Sequence, residues 1–181
     1  MNTANTRITG GEFRGRGIKS PNLEKTHPMG SRERLAILNS IGPEIVGATV
    51  LDLYAGTGAL GLEALSRGAK FGTFVEKNPK TLAILKENLE KLGIENFSVF
   101  AMKVEDFSDE NSSEIVFIDP PYDKYEIFLD NFSKIYENSL KNAKKIIISH
   151  PKNLNIDLKE LKLFRRTDKS FAGAGISIFT K

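Results

Sequence analysis

The chain has 181 residues, 40% hydrophobic and 27% charged, the balance of one soluble globular domain with room for a substantial core. It has no cysteine and only two histidines, His27 and His150, each directly before a proline; this excludes disulfides, thiolate metal sites and a cysteine nucleophile and leaves no histidine-rich metal centre to expect. No stretch is apolar enough to span a membrane, and Met1–Arg7 lacks the apolar core of a signal peptide, so a cytoplasmic location is the expectation.

The net charge of +3 is unevenly distributed. Residues 1–34 carry seven basic side chains (Arg7, Arg14, Arg16, Lys19, Lys25, Arg32, Arg34) against three acidic ones (Glu12, Glu24, Glu33), and the rest of the chain is nearly neutral. A basic arm on a neutral body suits an anionic macromolecule met at one end; a solubilising tail is the alternative. Within the arm, short stretches around Gly10-Gly11 and Gly15 predict a glycine-kinked β-ribbon. Arg14, Arg16 and Lys19 alternate along it, so as to track a phosphate backbone. Pro21–Gly30 reads as a loop. Ser31 is placed to cap a helix over 32–41, with Leu35, Leu38 and Ile41 on one face and Gly42-Pro43 ending it. Arg32 and Arg34 lie two apart there and do not share a face, so one of the two is expected to point to the site.

From residue 48 strands alternate with helices. Thr49–Leu53 is a short apolar strand, followed by a helix over about 59–67. Phe71–Val75 is a strand, and Pro79 opens a helix whose Leu82, Leu85, Leu89 and Leu92 share a face before Gly93 closes it. Phe97–Phe100 and Ile115–Ile118 are strands. Asp123 and Glu126 are spaced as a capping box for a helix lined by Tyr125, Phe128, Leu129, Phe132, Ile135 and Tyr136. Ile146–Ser149 is a continuous apolar strand, and Leu161–Arg166 and Gly175–Phe179 are close enough to pair antiparallel. Phe171–Gly175 between them is either a plain hairpin approach or a loop near the substrate. This alternation predicts an open, mostly parallel α/β sheet with helices on both faces.

Two motifs carry chemistry. In Asp52-Leu53-Tyr54-Ala55-Gly56-Thr57-Gly58-Ala59-Leu60-Gly61, a strand runs through a glycine turn into a helix. Gly56 and Gly58 let the backbone approach a ligand closely, and Gly61 allows tight helix packing. Glu76 ends the next strand, where a carboxylate can accept both hydroxyls of an adenosine ribose. A dinucleotide site shares this spacing. Asp52, however, sits poorly beside a pyrophosphate and suits the amino-acid end of a zwitterionic cofactor, S-adenosylmethionine. Candidate cofactor contacts are therefore Asp52, Tyr54, Ala55, Gly56, Gly58, Glu76 and Lys77. No metal is required.

The second motif, Asp119-Pro120-Pro121-Tyr122, ends an apolar strand at the edge where open α/β sheets bind ligands. The prolines fix the backbone and remove competing amide donors. Asp119 and the Pro120 carbonyl can each accept one hydrogen from an exocyclic NH₂, Tyr122 can stack on the base, and Pro121 lines the substrate side. An aryl amine is a poor nucleophile because its lone pair is delocalised. Two acceptors on its hydrogens favour a pyramidal nitrogen aimed at a methyl donor, and Asp119 can take the proton afterwards. The bland alternative is a proline turn after a strand.

These residues, in this order, resemble the RsmD family of ribosomal RNA guanine-N2 methyltransferases over nearly the whole chain. The likeness is carried by Arg7-Ile8-Thr9-Gly10-Gly11-Glu12-Phe13-Arg14-Gly15, by Pro28 and Arg32–Asn39, by Asp52–Ala64 and by Asp119–Tyr122. The N-terminal run discriminates, since the other two motifs occur across many amino-methyltransferases. Ser31 and Leu35 depart from the family's acids, and Lys103 occupies the place of its adenine-side acid or amide, so the resemblance leaves backbone contacts from Val104 or Glu105 for the adenine side. The resemblance implies a Rossmann-like class I methyltransferase with a seven-stranded sheet. It further implies N2 methylation of a guanine in small-subunit rRNA (guanine 966) within a 30S particle or assembly intermediate; a monomer with no membrane partner is the default expectation. Residues 1–30 would form a basic RNA-contacting ribbon and loop, with Arg7, Arg14, Arg16, Lys19, Arg32 and Arg34 as RNA contacts, and residues 31–181 the catalytic domain. The competing readings are an amino-methyltransferase for DNA adenine or another RNA base, a non-catalytic RNA-binding module and, more distantly, a nicotinamide oxidoreductase.

Overall fold

The computed structural model describes residues 3–21, 29–152, 154, 156–171 and 173–181. His27, Pro28, most of the Pro21–Gly30 loop and Ala172 of the Phe171–Gly175 segment lie outside them. β3 (Thr49–Leu53), β4 (Phe71–Val75), β5 (Phe97–Phe100) and β6 (Ile115–Ile118) fall where the apolar runs predict them, followed by β7 (Lys145–Pro151), β8 (Arg165–Ser170) and β9 (Ala174–Thr180). Together they form a seven-stranded sheet in the order β5-β4-β3-β6-β7-β9-β8. β3 to β7 run parallel, β9 pairs antiparallel with β7, and β8 antiparallel with β9.

Alternate side chains of the central strands feed two cores. Val50, Phe74, Phe117 and Ile147 pack beneath α1 (Ser31–Ile41), α2 (Ala59–Ser66) and α3 (Pro79–Leu92). Leu51, Leu53, Val116, Ile118, Ile146 and Ile148 pack beneath α4 (Tyr125–Asp130) and α5 (Phe132–Ile135). Burial on both faces is why these strands read as unbroken apolar runs rather than alternating ones. The chain winds outward from β3 to β5 and then returns to β6 beside β3. The crevice beyond the carboxyl ends of β3 and β6 is thus the point where the winding reverses, the usual ligand position in such sheets. Among the described residues no helix is long and apolar enough to cross a membrane.

Several local expectations are corrected. The ribbon strands are β1 (Thr3–Arg7) and β2 (Gly17–Pro21), paired antiparallel. The glycines lie in the turn between them, where Gly11 has φ +78° and a Cβ would come within 1.8 Å of the Ser66 carbonyl oxygen. Arg14 and Arg16 therefore do not alternate along a strand with Lys19. Gly30, not Ser31, is the N-cap of α1; the Ser31 hydroxyl instead accepts from Arg34 at 3.3 Å. The Asp123–Glu126 box does not form, because Tyr122–Lys124 makes a 3₁₀ turn leading into α4. The helix beyond it is broken: α4 gives way to α5 and then to a π turn over Tyr136–Leu140. Leu161 closes another 3₁₀ turn, so β8 starts at Arg165 and not at Leu161.

Candidate active site

The parallel register sets Leu53 beside both Val75 and Ile118. The next residues, Tyr54, Glu76 and Asp119, therefore leave three adjacent strand ends together, about one strand spacing (~4.8 Å) apart. The Asp119 amide lies 3.5 Å from the Leu53 carbonyl. The glycine loop is held by carboxylates. Glu76 accepts from the Gly56 amide at 2.8 Å and from the Asn78 amide at 2.6 Å. Asp52, 2% exposed, accepts from the Gly61 amide at 2.9 Å. Gly61 is indispensable to that contact, since a Cβ there would lie 2.3 Å from the Phe74 ring. Gly58 turns at φ +84°, and its amide donates to the Ala55 carbonyl at 2.8 Å.

The electrostatics are unusual for a sheet end. Burial raises the Asp52 carboxyl to about 7 against the pull of the Gly61 amide, and the charges of Asp119 and Glu76 add to the rise. Burial likewise lifts Asp119 to about 6, opposed by a hydrogen bond from Ser149. Among the described residues neither carboxyl forms an ion pair. A buried carboxylate without a counter-charge is costly, so this crevice suits a cationic ligand and repels a pyrophosphate. That fits the sulfonium and ammonium groups of S-adenosylmethionine and counts against the dinucleotide alternative. Among the described residues no group of acids and histidines is gathered as for a metal ion.

Pro120 is buried and Pro121 exposed. Among the described residues the Pro120 carbonyl accepts no backbone hydrogen bond, whereas that of Pro121 accepts from Lys124 at 3.0 Å. The half-buried Tyr122 ring packs edge-on against Tyr125, and its hydroxyl meets Ser149 Oγ at 2.9 Å. Burial, with the nearby acid Glu105, holds the Tyr54 phenol above its ordinary range, and Tyr54 itself has φ +61°. Val104 is buried and Glu105 half-buried in a 3₁₀ turn after β5, while Lys77 and Lys103 are exposed.

The basic candidates separate. Arg34 is buried at 2% exposure, donating to the carbonyls of Met29 (2.9 Å) and Arg7 (3.3 Å). Its Nε lies 3.7 Å from the fully buried Glu63, which also accepts from the Thr9 amide and hydroxyl at 2.8 and 2.9 Å and pairs with Arg67 at 3.8 Å. Burial lowers the Arg34 guanidinium's pKa while Glu63 opposes the fall. Arg34 thus fastens α1 and the ribbon to α2, which overturns its expected RNA contact. Arg16 donates to the carbonyls of Lys91 and Leu92 at the end of α3, where a cation is favoured. α2 and α3 run from the site edge of the sheet to the opposite edge, so the ribbon turn with Arg14 and Arg16 lies away from the carboxylates. Lys19 pairs with Glu87 at 2.5 Å and Arg7 donates to the Gly15 carbonyl. Arg32 is exposed on the first turn of α1, next to Glu33, whose charge acts on Tyr122.

Sequence reasoning missed Ser149 and Glu63. Ser149 had one usable signal, a serine ending an otherwise apolar strand. Glu63 had none, because two of its three partners, Thr9 and Arg34, come from distant segments and only Arg67 lies four residues on.

The family model described as "Conserved hypothetical protein 95" matches residues 6–180. Ribosomal RNA small subunit methyltransferase D of Buchnera aphidicola is 31% identical over 85% of this chain and 86% of its own length. The Escherichia coli K12 protein of that name is 39% identical over 64% of this chain and 60% of its own. Among solved structures, yhhF from Escherichia coli superposes with a TM-score of 0.82 at 27% identity over 98% of both chains, and Thermus thermophilus TTHA0928 with 0.78 at 28% over 97% and 99%. The structural neighbours share the class I methyltransferase fold. With a family model spanning almost its full length, the chain belongs to the conserved hypothetical protein 95 family, that of ribosomal RNA small subunit methyltransferase D.

Proposed function

We propose that this protein methylates the exocyclic N2 amine of a guanine in small-subunit rRNA, guanine 966 by family resemblance, acting on a ribosomal particle in the cytoplasm. The observation that carries the reading is the meeting of the buried Asp52 and half-buried Asp119 carboxyls, neither ion-paired among the described residues, with a prolyl carbonyl that accepts no backbone hydrogen bond there, at the point where the sheet's winding reverses. S-adenosylmethionine, bound there, supplies an activated methyl group. Glu76 would hold the ribose hydroxyls with the lone pairs left over from its two amide bonds, and Asp52 keeps the glycine loop in shape while countering positive charge. Tyr54, Ala55, Gly56 and Gly58 form the cradle, with Lys77 at its rim; Val104 and Glu105 border the adenine side.

Asp119 and the Pro120 carbonyl take one amine hydrogen each, so the nitrogen lone pair projects away from both toward the cofactor side. Orientation of this kind lowers the barrier without a covalent intermediate. Asp119, near 6 in the free protein, is ionised at neutral pH and accepts the proton the nitrogen loses. Tyr122 stacks on the base, and Pro121 shapes the entrance. Arg32 meets phosphates next to the site. Residues 1–30 would carry the RNA contact on beyond the site toward the opposite edge of the sheet, through Arg14 of the ribbon turn, which among the described residues forms no ion pair; residues 31–181 carry the chemistry.

The test is transfer of a labelled methyl group to deproteinised small-subunit rRNA and to assembled subunits. Incorporation into either supports the reading, and preference for subunits supports the particle substrate. No incorporation into either refutes it.

A further inference from the structure

Asp119 does not stand alone at its strand end. The β6–β7 register pairs Ile118 with Ile148, so Ser149 follows directly beside Asp119. Ser149 is 2% exposed, its hydroxyl meets the Tyr122 hydroxyl at 2.9 Å, and from the adjoining strand end it faces the Asp119 carboxyl, whose rise it opposes. Proton counting fixes the direction. An ionised carboxylate only accepts, so the single Ser149 proton goes to Asp119. The Tyr122 O–H must then donate to Ser149 Oγ. The result is one chain, Tyr122 to Ser149 to Asp119, joining the ring that covers the base to the acceptor that grips its amine.

We propose that Ser149 is a positioning residue that locks the Asp119 carboxylate and the Tyr122 ring into a single unit for amine recognition. This rests on the methyl-transfer reading above and deepens it. Ser149 touches neither substrate nor cofactor. It fixes which lone pair of Asp119 is left for the amine and favours the ionised form of that half-buried carboxyl. Through Tyr122 it sets the plane in which the base lies, so the NH₂ hydrogens arrive in line with both acceptors. The other groups facing this unit are Asp52 from β3, Tyr125 from α4 and Glu33 from α1. Asp52 and Glu33 are acids, and no described cation pairs with Asp119, so Ser149 supplies the stabilising hydrogen bond that opposes its burial. Losing a hydrogen bond to a charged group moves a titration by about one pH unit.

The experiment compares Ser149→Ala, Ser149→Thr and the unaltered protein in two readouts. The first is the pH profile of methyl transfer to small-subunit rRNA. The second is the carboxyl titration of Asp119 in the free protein by carbon-13 NMR, which also reports folding. Ser149→Ala is expected to lower kcat about tenfold, shift the acidic limb up by about one pH unit, and leave the dissociation constant of S-adenosylmethionine within about twofold. Ser149→Thr, which keeps the hydroxyl, should restore the limb and most of kcat. An unmoved Asp119 titration in folded Ser149→Ala overturns the proposal, as does a threonine variant that behaves like alanine. If the unaltered protein transfers no methyl group, the functional reading fails instead, and the NMR titration alone decides whether Ser149 sets the state of Asp119. Should Ser149→Ala not fold, Ser149→Thr and Tyr122→Phe take its place. An Asp119 titration unmoved in Ser149→Thr together with a raised KM for RNA and an unshifted acidic limb in Tyr122→Phe supports the chain; unchanged KM in Tyr122→Phe refutes it.

Discussion

Asp119→Asn should make the protein more stable while nearly abolishing its activity. The carboxyl rises from an ordinary 3.8 to about 6 in the folded chain, chiefly through burial. Fully expressed, a rise of that size corresponds to about 3 kcal/mol of penalty on the ionised folded state. Asp119 is only half-buried, and solvent screening reduces this to about 1–2 kcal/mol. The sign follows from linkage. Below pH ~4 the group is protonated in folded and unfolded chains alike and costs nothing. Between ~4 and about 6 the unfolded chain ionises first and stability falls as pH rises; above that the loss is complete. Asparagine keeps an acceptor for the Ser149 hydroxyl and removes the charge. At pH 7.5 the variant should melt about 3–6 °C above the unaltered protein, and the difference should vanish near pH 4. Methyl transfer should meanwhile drop about 10²–10⁴-fold, as for loss of an oriented base and acceptor. Scanning calorimetry at pH 4, 5.5 and 7.5 tests this. A variant no more stable at 7.5, or a gap that does not change with pH, would refute the claim that Asp119 is an uncompensated carboxylate.

The same electrostatics predict that S-adenosylmethionine binds more tightly as pH rises from 5.5 to 8, by about tenfold, because its positive charges favour ionised Asp52 and Asp119; titration calorimetry showing a flat profile would place these acids away from the ligand. Gly58→Ala forces a side chain into φ +84° and brings a Cβ within 2.3 Å of Leu85 Cδ1, so it should cost about 2 kcal/mol in urea unfolding and weaken cofactor binding. Arg34→Met removes one cation from the buried Glu63 cluster and should cost about 3 kcal/mol, whereas Arg14→Glu should change stability by less than ~0.5 kcal/mol. Equal costs would refute the structural role given to Arg34. In RNA binding across a salt series, Arg32→Glu and Arg14→Glu should each flatten the slope by about one; unchanged slopes would remove these residues from the interface.

The sheet and the carboxylate crevice were legible because their determinants are local. Glu76, Asp119 and the Gly56–Gly58 turn each follow a short apolar run, and the reversal of winding needs only the alternation of strands with helices. Asp52 was legible as a carboxylate out of place beside a pyrophosphate. What stayed hidden depends on which distant segments meet. Arg34 looks like a phosphate ligand until Glu63 is known to lie beneath it, and Arg16 looks free until the end of α3 is placed against it. Ser149 gains its role only through the β6–β7 register. The Asp123–Glu126 spacing fits a capping box, yet the 3₁₀ turn at Tyr122 pre-empts it, an outcome of backbone geometry that side-chain spacing does not encode.

The most direct test of the pairing between the strand-end acceptors and an exocyclic amine is the identity of the methylated product. Small-subunit rRNA treated with the protein and isotope-labelled S-adenosylmethionine should yield labelled N2-methylguanosine on digestion and mass analysis, and none with Asp119→Ala. Label in N6-methyladenosine, in a ring-carbon or ribose methyl group, or undiminished by Asp119→Ala would contradict it.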